Sequence, residues 1–316
     1  MKKLWLLTCW LFAGTFSFAQ GQINIIVPST PGGAPDLMAR MVGEVLRTSL
    51  QTEVLVSNIP GANGELAIQK FLQAPPDSNT LLVTQDSVLV VNPHLYRRDL
   101  KAPWQIGQAL AYLGHNDNYL LLRADHPAHT LDDLLTTARH TGRPLFYGTG
   151  GVGSLAHLVA EELHQASGNS MLHVPYKSNS EALAGLLRGD VDMIISGSAA
   201  LPMLRAQRIK ALAVIGNDRS KLFPLLPKVS DTYPAIAFNP WFGVMAQQSA
   251  SPKLIETISA ALQAGIRDPQ FQQNMLTQGG ITAWYRPPQE FLQVLQTDYA
   301  RYGRIVQRLG MQPNKP

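Results

Sequence analysis

Apolar positions along the chain follow two alternating spacings. Short, mostly apolar runs at 23–27, 54–56, 80–83, 119–123, 145–147, 171–174, 191–195, 211–215, 241–246 and 281–285 read as strands. Between them the spacing changes to a helical one. After Pro35-Asp36, apolar residues recur at Leu37, Met38, Met41, Val42, Val45, Leu46 and Leu50; after Ser154 they recur at Leu155, Leu158, Val159 and Leu163. Helices are also predicted over 65–72, 88–95, 181–188 and 201–204. Another runs from the capping-box pattern Thr130-Leu131-Asp132-Asp133 to Gly142, and others follow Ser251-Pro252, Asp268-Pro269 and Pro287-Pro288. Residues 216–240 are proline-rich without a period, and the stretch between Leu95 and Leu113 gives no assignment. Strands alternating with helices predict an α/β protein with parallel sheets covered by helices on both faces.

Two places join a strand to a helix through glycine. In the first, the strand at 23–27 runs through Pro28-Ser29-Thr30-Pro31-Gly32-Gly33 into a helix that opens near Pro35 and Asp36. In the second, Leu145–Tyr147 is followed by Gly148-Thr149-Gly150-Gly151-Val152-Gly153-Ser154 and then a helix. Glycine lets the main chain turn sharply and approach a ligand closely. A helix start presents unpaired N–H groups and a partial positive charge, so it holds an anion without a charged side chain. In open α/β sheets, ligands sit beyond the carboxyl ends of the strands, where both loops fall.

Gly148, Gly150 and Gly153 satisfy the dinucleotide pattern G-x-G-x-x-G. A nucleotide site also wants an acid at the end of the next strand, for the ribose. Here that strand ends in Pro175-Tyr176-Lys177. A small carboxylate suits the loop better, and a tight turn without ligand is the plain structural alternative.

Composition places this site in an exported protein. Lys2 and Lys3, the apolar stretch 4–16 and Ser17-Phe18-Ala19 form a signal peptide over residues 1–19, with the mature chain starting near Gln20. The only cysteine, Cys9, lies inside it, so the mature protein uses no disulfides; a bacterial periplasm accommodates that. Losing Lys2 and Lys3 takes the formal net charge from +4 to +2, and no basic run of the sort that binds nucleic acid is present. No second apolar stretch is long enough to cross a bilayer, so any membrane role runs through a partner.

These loops and several other fragments resemble the Bug family, the receptor proteins of tripartite tricarboxylate transporters. The fragments include Val27-Pro28 with Gly32-Gly33 and Asp36, then Asn58, Pro60-Gly61-Ala62 and Gly64. They continue with Asn92-Pro93, the run Gly148 to Leu158, His173-Val174-Pro175-Tyr176-Lys177, and Trp241 with Gly243-Val244-Met245-Ala246. The sequence departs from the family pattern at Ser57, Ser78-Asn79, Ser178-Asn179 and Lys228.

The resemblance implies two doubly wound lobes around a ligand cleft, like periplasmic binding proteins of type II. Lobe one would take residues 20–122 and 242–316, and lobe two residues 123–241, with two hinge crossovers. It implies a small carboxylate ligand held by main-chain amides, no cofactor, and delivery to membrane transporter subunits by a monomer. The rival is a ligand sensor that docks on a membrane sensor kinase; an exported hydrolase ranks behind both. For the hydrolase, G-x-S-x-G and H-E-x-x-H are absent, and His126 and His129 have no acid spaced as a co-ligand, so no catalytic residue and no metal site is assigned.

The expected ligand-binding set is Ser29, Thr30, Gly32, Gly33, Asp36, Gln85, Ser87, Thr149, Gly150, Gly151, Gly153, Ser154, His157, Tyr176 and Ser196. Several have a structural reading beside the functional one. Asp36 and Ser154 also suit helix starts, His157 also suits a neutral, hydrogen-bonded position inside its lobe, and Tyr176 also suits hinge packing.

Overall fold

The computed structural model describes residues 21–76, 78–96 and 102–311; the leader expected at 1–19 lies outside them. The chain opens with β1 (Ile23–Val27), α1 (Ala34–Leu50), β2 (Val54–Asn58), α2 (Glu65–Leu72) and β3 (Asn79–Gln85). A wide π turn over Ser87–Val91 leads to α3 (Asn92–Tyr96), then α4 (Pro103–Ile106) and β4 (Gln108–Asn116). A second unit follows: β5 (Asn118–Arg123), α5 (Leu131–Thr141), β6 (Leu145–Thr149), α6 (Leu155–Ser167), β7 (Met171–Pro175), α7 (Asn179–Arg188), β8 (Met193–Ser196), α8 (Leu201–Arg205) and β9 (Ile209–Ile215). The chain closes with β10 (Trp241–Ala246), α9 (Pro252–Ile266), α10 (Pro269–Gly279), β11 (Ile281–Arg286) and α11 (Pro288–Arg308).

The strands form two sheets, ordered β11-β4-β10-β3-β1-β2 and β7-β6-β8-β5-β9. The sheets are mixed, which corrects the expectation of parallel ones. β10 runs antiparallel to β3 and β4, β11 antiparallel to β4, and β5 antiparallel to β8 and β9. The cause lies in the chain path. β1, β3 and β4 run toward the crossover between the sheets, whereas β5 and β10 enter their sheets from that crossover and must run away from it. The chain changes sheet at Asp117, so β5 belongs wholly to the second sheet. The return path is the irregular segment between β9 and β10.

Side-chain alternation distributes each strand between two layers. Ile25, Val27, Leu81 and Val83 face Met38, Val42 and Leu46 of α1 and Leu262 of α9. Ile26 and Leu82 point the other way, toward Ile68 and Phe71 of α2 and Phe291 and Leu295 of α11. That second layer continues without a break into the other lobe, through Leu158, Val159 and Leu163 of α6. Outside the second sheet, Tyr119, Leu121 and Ile194 pack with Ala182 and Leu186 of α7. Burying each side chain of this size stabilises the fold by about 1.5–3 kcal/mol.

Pairing register fixes which loops meet. Gln85 pairs with Phe242, Asn118 with Ile215, and Tyr119 with Ser196. The carboxyl ends of β1, β3, β6, β8 and β9 therefore all lie at the crossover end, facing the opposite lobe.

Candidate functional site

The first glycine loop is held in shape by Asp36. Its Oδ2 accepts from the Gly32 N–H at 2.8 Å and from Arg40 Nε at 3.0 Å, and its Oδ1 accepts from Asn58 Nδ2 at 2.9 Å. Asn58 Nδ2 also donates to the Ser29 carbonyl at 3.1 Å. The carboxylate is buried. Burial alone would raise its pKa, but the bonds from Arg40, Gly32 and Asn58 together hold it below the ordinary value. Asp36 thus braces the loop, and it engages the Arg40 guanidinium. The Gly33 N–H turns inward to the Thr30 carbonyl at 3.4 Å, and Ser29 Oγ donates to the same carbonyl at 3.2 Å. Thr30 and Gly32 stand exposed on the outer side of the bend.

At the end of β3, Gln85 Nε2 donates to Ser87 Oγ at 2.9 Å, and both residues are half-buried. Asp86, between them, is turned into the core. It accepts from the Ser87 N–H at 2.7 Å and from the Tyr302 hydroxyl at 3.2 Å. Burial pushes its carboxyl up to about 7.

The second loop is braced from beneath by two imidazoles. His157 Nδ1 accepts the Gly153 N–H at 2.9 Å, which places the ring proton on Nε2. His173 stacks on His157, with ring centroids 3.9 Å apart, and its Nε2 lies 2.7 Å from Thr149 Oγ1. Thr149 Oγ1 donates in turn to the Gly151 carbonyl at 3.0 Å. Burial pushes both imidazoles down to about 4, so they are neutral at pH 7. Ser154 is the N-cap of α6, its Oγ accepting from the His157 N–H at 3.3 Å.

These bonds sort the loop amides. The N–H groups of Gly153 and His157 are taken by the protein, and Gly151 N makes a long contact of 3.3 Å with Thr149 Oγ1. The N–H groups of Gly150 and Val152, and those of Leu155 and Ala156 in the first turn of α6, donate to no protein acceptor among the described residues. Two glycines are sterically required. Gly151 has φ +143°, which other residues rarely adopt, and a β-carbon on Gly150 would lie 2.7 Å from Asn179 N.

Two further expected residues lie at the ends of the strands beside this loop. The Tyr176 ring packs between β6 and α7, where a β-carbon on Gly148 would lie 3.1 Å from it, and only its main-chain N–H engages the loop, donating to Thr149 O at 2.9 Å. Ser196 Oγ, at the end of β8, is buried with no hydrogen-bond partner among the described residues, as is Thr84 Oγ1 near the end of β3. Trp241 is packing at the crossover, its Nε1 donating to Asp298 at 2.7 Å.

The two lobes touch beside these loops. Tyr96 of α3 donates its hydroxyl to the Val152 carbonyl. A β-carbon on Gly151 would lie 3.9 Å from Asn63 Oδ1, and one on Gly153 would lie 2.7 Å from the Tyr96 hydroxyl. Asn63 and Tyr96 were not in the expected set, although they approach the second loop. The only local signal is an asparagine between two glycines, in a turn that reads as solvated. Among the described residues, no group of three His, Cys, Asp or Glu side chains is placed to hold a metal ion, and no helix is long and apolar enough to cross a membrane.

Two α/β lobes, joined by two crossovers and touching beside the second glycine loop, have the architecture of periplasmic binding proteins. The chain belongs to the tripartite tricarboxylate transporter receptor family, whose profile, "Tripartite tricarboxylate transporter family receptor", matches residues 38–311. It is 30% identical over 301 residues to a UPF0065 protein of Bordetella pertussis, covering 94% of this chain and 92% of that one. The periplasmic binding protein BugD has the same fold, with a TM-score of 0.82 at 23% identity over 94% of this chain and all of that one. So does an R. palustris protein solved with adipate, with a TM-score of 0.86 at 24% identity over 94% of this chain and all of that one. Receptors of this family are binding proteins of the periplasm.

Proposed function

We propose that this protein is an extracytoplasmic receptor that captures a small carboxylate between its lobes and delivers it to a tripartite tricarboxylate-type membrane transporter. The observation that supports the reading is the set of unmatched amides at Gly150, Val152, Leu155 and Ala156, beside the contact that Tyr96 of the other lobe makes with Val152. Such donors, added to a helix dipole, suit a carboxylate. The adipate in the R. palustris neighbour is consistent with that chemistry. Lobe one would comprise the segments before Asp117 and after the 216–240 return, and lobe two the part between. A ligand touching both lobes binds the closed form better and shifts the population toward it, and the closed form is what the membrane partner reads. The leader at 1–19 would bring the chain to the periplasm.

A thermal-shift screen of the purified protein against mono-, di- and tricarboxylates, amino acids and neutral sugars tests the reading. One or more carboxylates should raise the melting temperature while sugars do not. Stabilisation by a sugar or an amine alone would contradict it.

A further inference from the structure

Two peptide units flank Val152 in the second glycine loop, and each is pinned by the bonds it makes. On the amino side, the Gly151 carbonyl accepts from Thr149 Oγ1 at 3.0 Å and from the Ser154 N–H at 3.3 Å. The N–H of that same peptide, on Val152, is one of the unmatched donors. On the carboxyl side, the Gly153 N–H donates to His157 Nδ1 at 2.9 Å, and the Val152 carbonyl accepts from the Tyr96 hydroxyl. Of these bonds, only the last comes from the first lobe. Tyr96 is itself held, because the Asn63 side chain engages its hydroxyl. The turn that carries Asn63 packs tightly at the start of the first glycine bend: a β-carbon on Gly64 would lie 2.8 Å from Val88 and 3.0 Å from Pro28. Gly153 makes room for the approach from the other side. It has φ +73°, and a β-carbon there would collide with Leu95 and lie 2.7 Å from the Tyr96 hydroxyl.

We propose that Tyr96 is a positioning residue of the anion site: through its hydroxyl, the first lobe fixes the Val152–Gly153 peptide and so sets the direction of the adjoining Val152 N–H. The inference rests on the carboxylate reading above and deepens it, by naming the first-lobe group that aligns a donor of the second lobe. The physical reason is the freedom of this stretch. Glycines on both sides of Val152 restrain the main chain little, and the Val152 side chain is 52% exposed, so packing adds little more. A peptide bonded at one end still pivots about that bond, whereas bonds at both ends leave one orientation. A donor aligned before an anion arrives spares the ordering that binding would otherwise cost. The effect is reciprocal, because an acid held on Val152 strengthens the Tyr96 contact by the same factor by which the contact strengthens the acid.

The test compares the purified protein with Tyr96→Phe, which keeps the ring and removes only the hydroxyl. Both are titrated calorimetrically with succinate, adipate, citrate and benzoate, well below their melting temperatures. For each acid that binds the parent, Tyr96→Phe should weaken affinity about three- to tenfold, the scale of one lost hydrogen bond, chiefly through faster dissociation in stopped flow. Hydrogen exchange is read on the acid-free proteins, where the amides of residues 150–156 should exchange about threefold faster or more in the variant, because the loop has lost a tether. Asn63→Gly suits the left-handed turn at that position and should move both readouts the same way by less. A hydroxyl that merely supports the fold would lower the melting temperature and leave affinity and exchange alone. Unchanged affinity or unchanged exchange in folded Tyr96→Phe would therefore overturn the inference and leave the carboxylate reading standing. Failure of all four acids to bind the folded parent would instead bring down that reading, and this inference with it.

Discussion

Asp36 shows how one side chain sets the shape of a glycine bend. Its carboxylate gathers the Gly32 N–H, the Asn58 amide and the Arg40 guanidinium. Removing it takes the acceptor from the Gly32 N–H and leaves Asn58 only the Ser29 carbonyl, and a part-buried donor left unpaired costs about 1–3 kcal/mol. Asp36→Ala should therefore lower unfolding stability by roughly that amount in urea titrations and also weaken ligand binding. Unchanged stability would make the carboxylate an ordinary helix-start charge. Asp36 was legible in the sequence as a helix-start acid, because capping is local. Its bond to Asn58 was not, since β2 brings that residue close only after the sheet forms. Likewise, His157 was legible as a neutral residue inside its lobe, whereas its stacking partner His173 depends on the pairing of β6 with β7.

Asp86 makes an opposite prediction about pH. Its folded pKa is raised to about 7 from 3.8, chiefly by burial, with Asp298 adding to the effect. The folded state then binds more protons than the unfolded one between these values, so this group's contribution is full below pH 3.8 and is lost as pH rises through 7. Asp86→Asn, which cannot ionise, should gain stability relative to the unmodified protein between pH 5 and 8 in denaturant unfolding. A difference that stays flat across that range would show the carboxyl to be ionised throughout.

At the scale of elements, the strand, glycine loop and helix over Leu145–Ser167 were plain in the sequence. The change of period, the glycines and the Ser154 cap all agree there. Which loop amides are free was not plain, because the glycine pattern does not say that Gly153 is tied to His157. Strand direction was also hidden. Apolar spacing marks β5 and β10 as strands, but their antiparallel setting follows from where the chain re-enters each sheet. β4 escaped assignment because it is buried on both faces along its middle, so its sequence does not alternate. The loop is specific about substitution. Gly150→Ala forces its methyl group against Asn179, so ligand affinity should fall at least tenfold, measured by calorimetry, while far-UV circular dichroism stays unchanged. Retained affinity in that folded variant would detach the loop from the site.

At the scale of the molecule, the lobes share one apolar layer, and ionic and polar contacts cross between them. Arg308 of α11 pairs with the buried Glu162 of α6, Arg205 of α8 donates to the Thr277 carbonyl of α10, and Tyr96 donates to Val152. Beside the second glycine loop, the lobes are joined by the Tyr96 contact. A crystal structure of the protein with the tightest-binding acid of the panel tests the central claim most directly. The account predicts carboxylate oxygens within hydrogen-bonding distance of the amides among Gly150, Val152, Leu155 and Ala156, with the first glycine bend closing over them. A carboxylate paired to an arginine, or bound away from the seam, would contradict it.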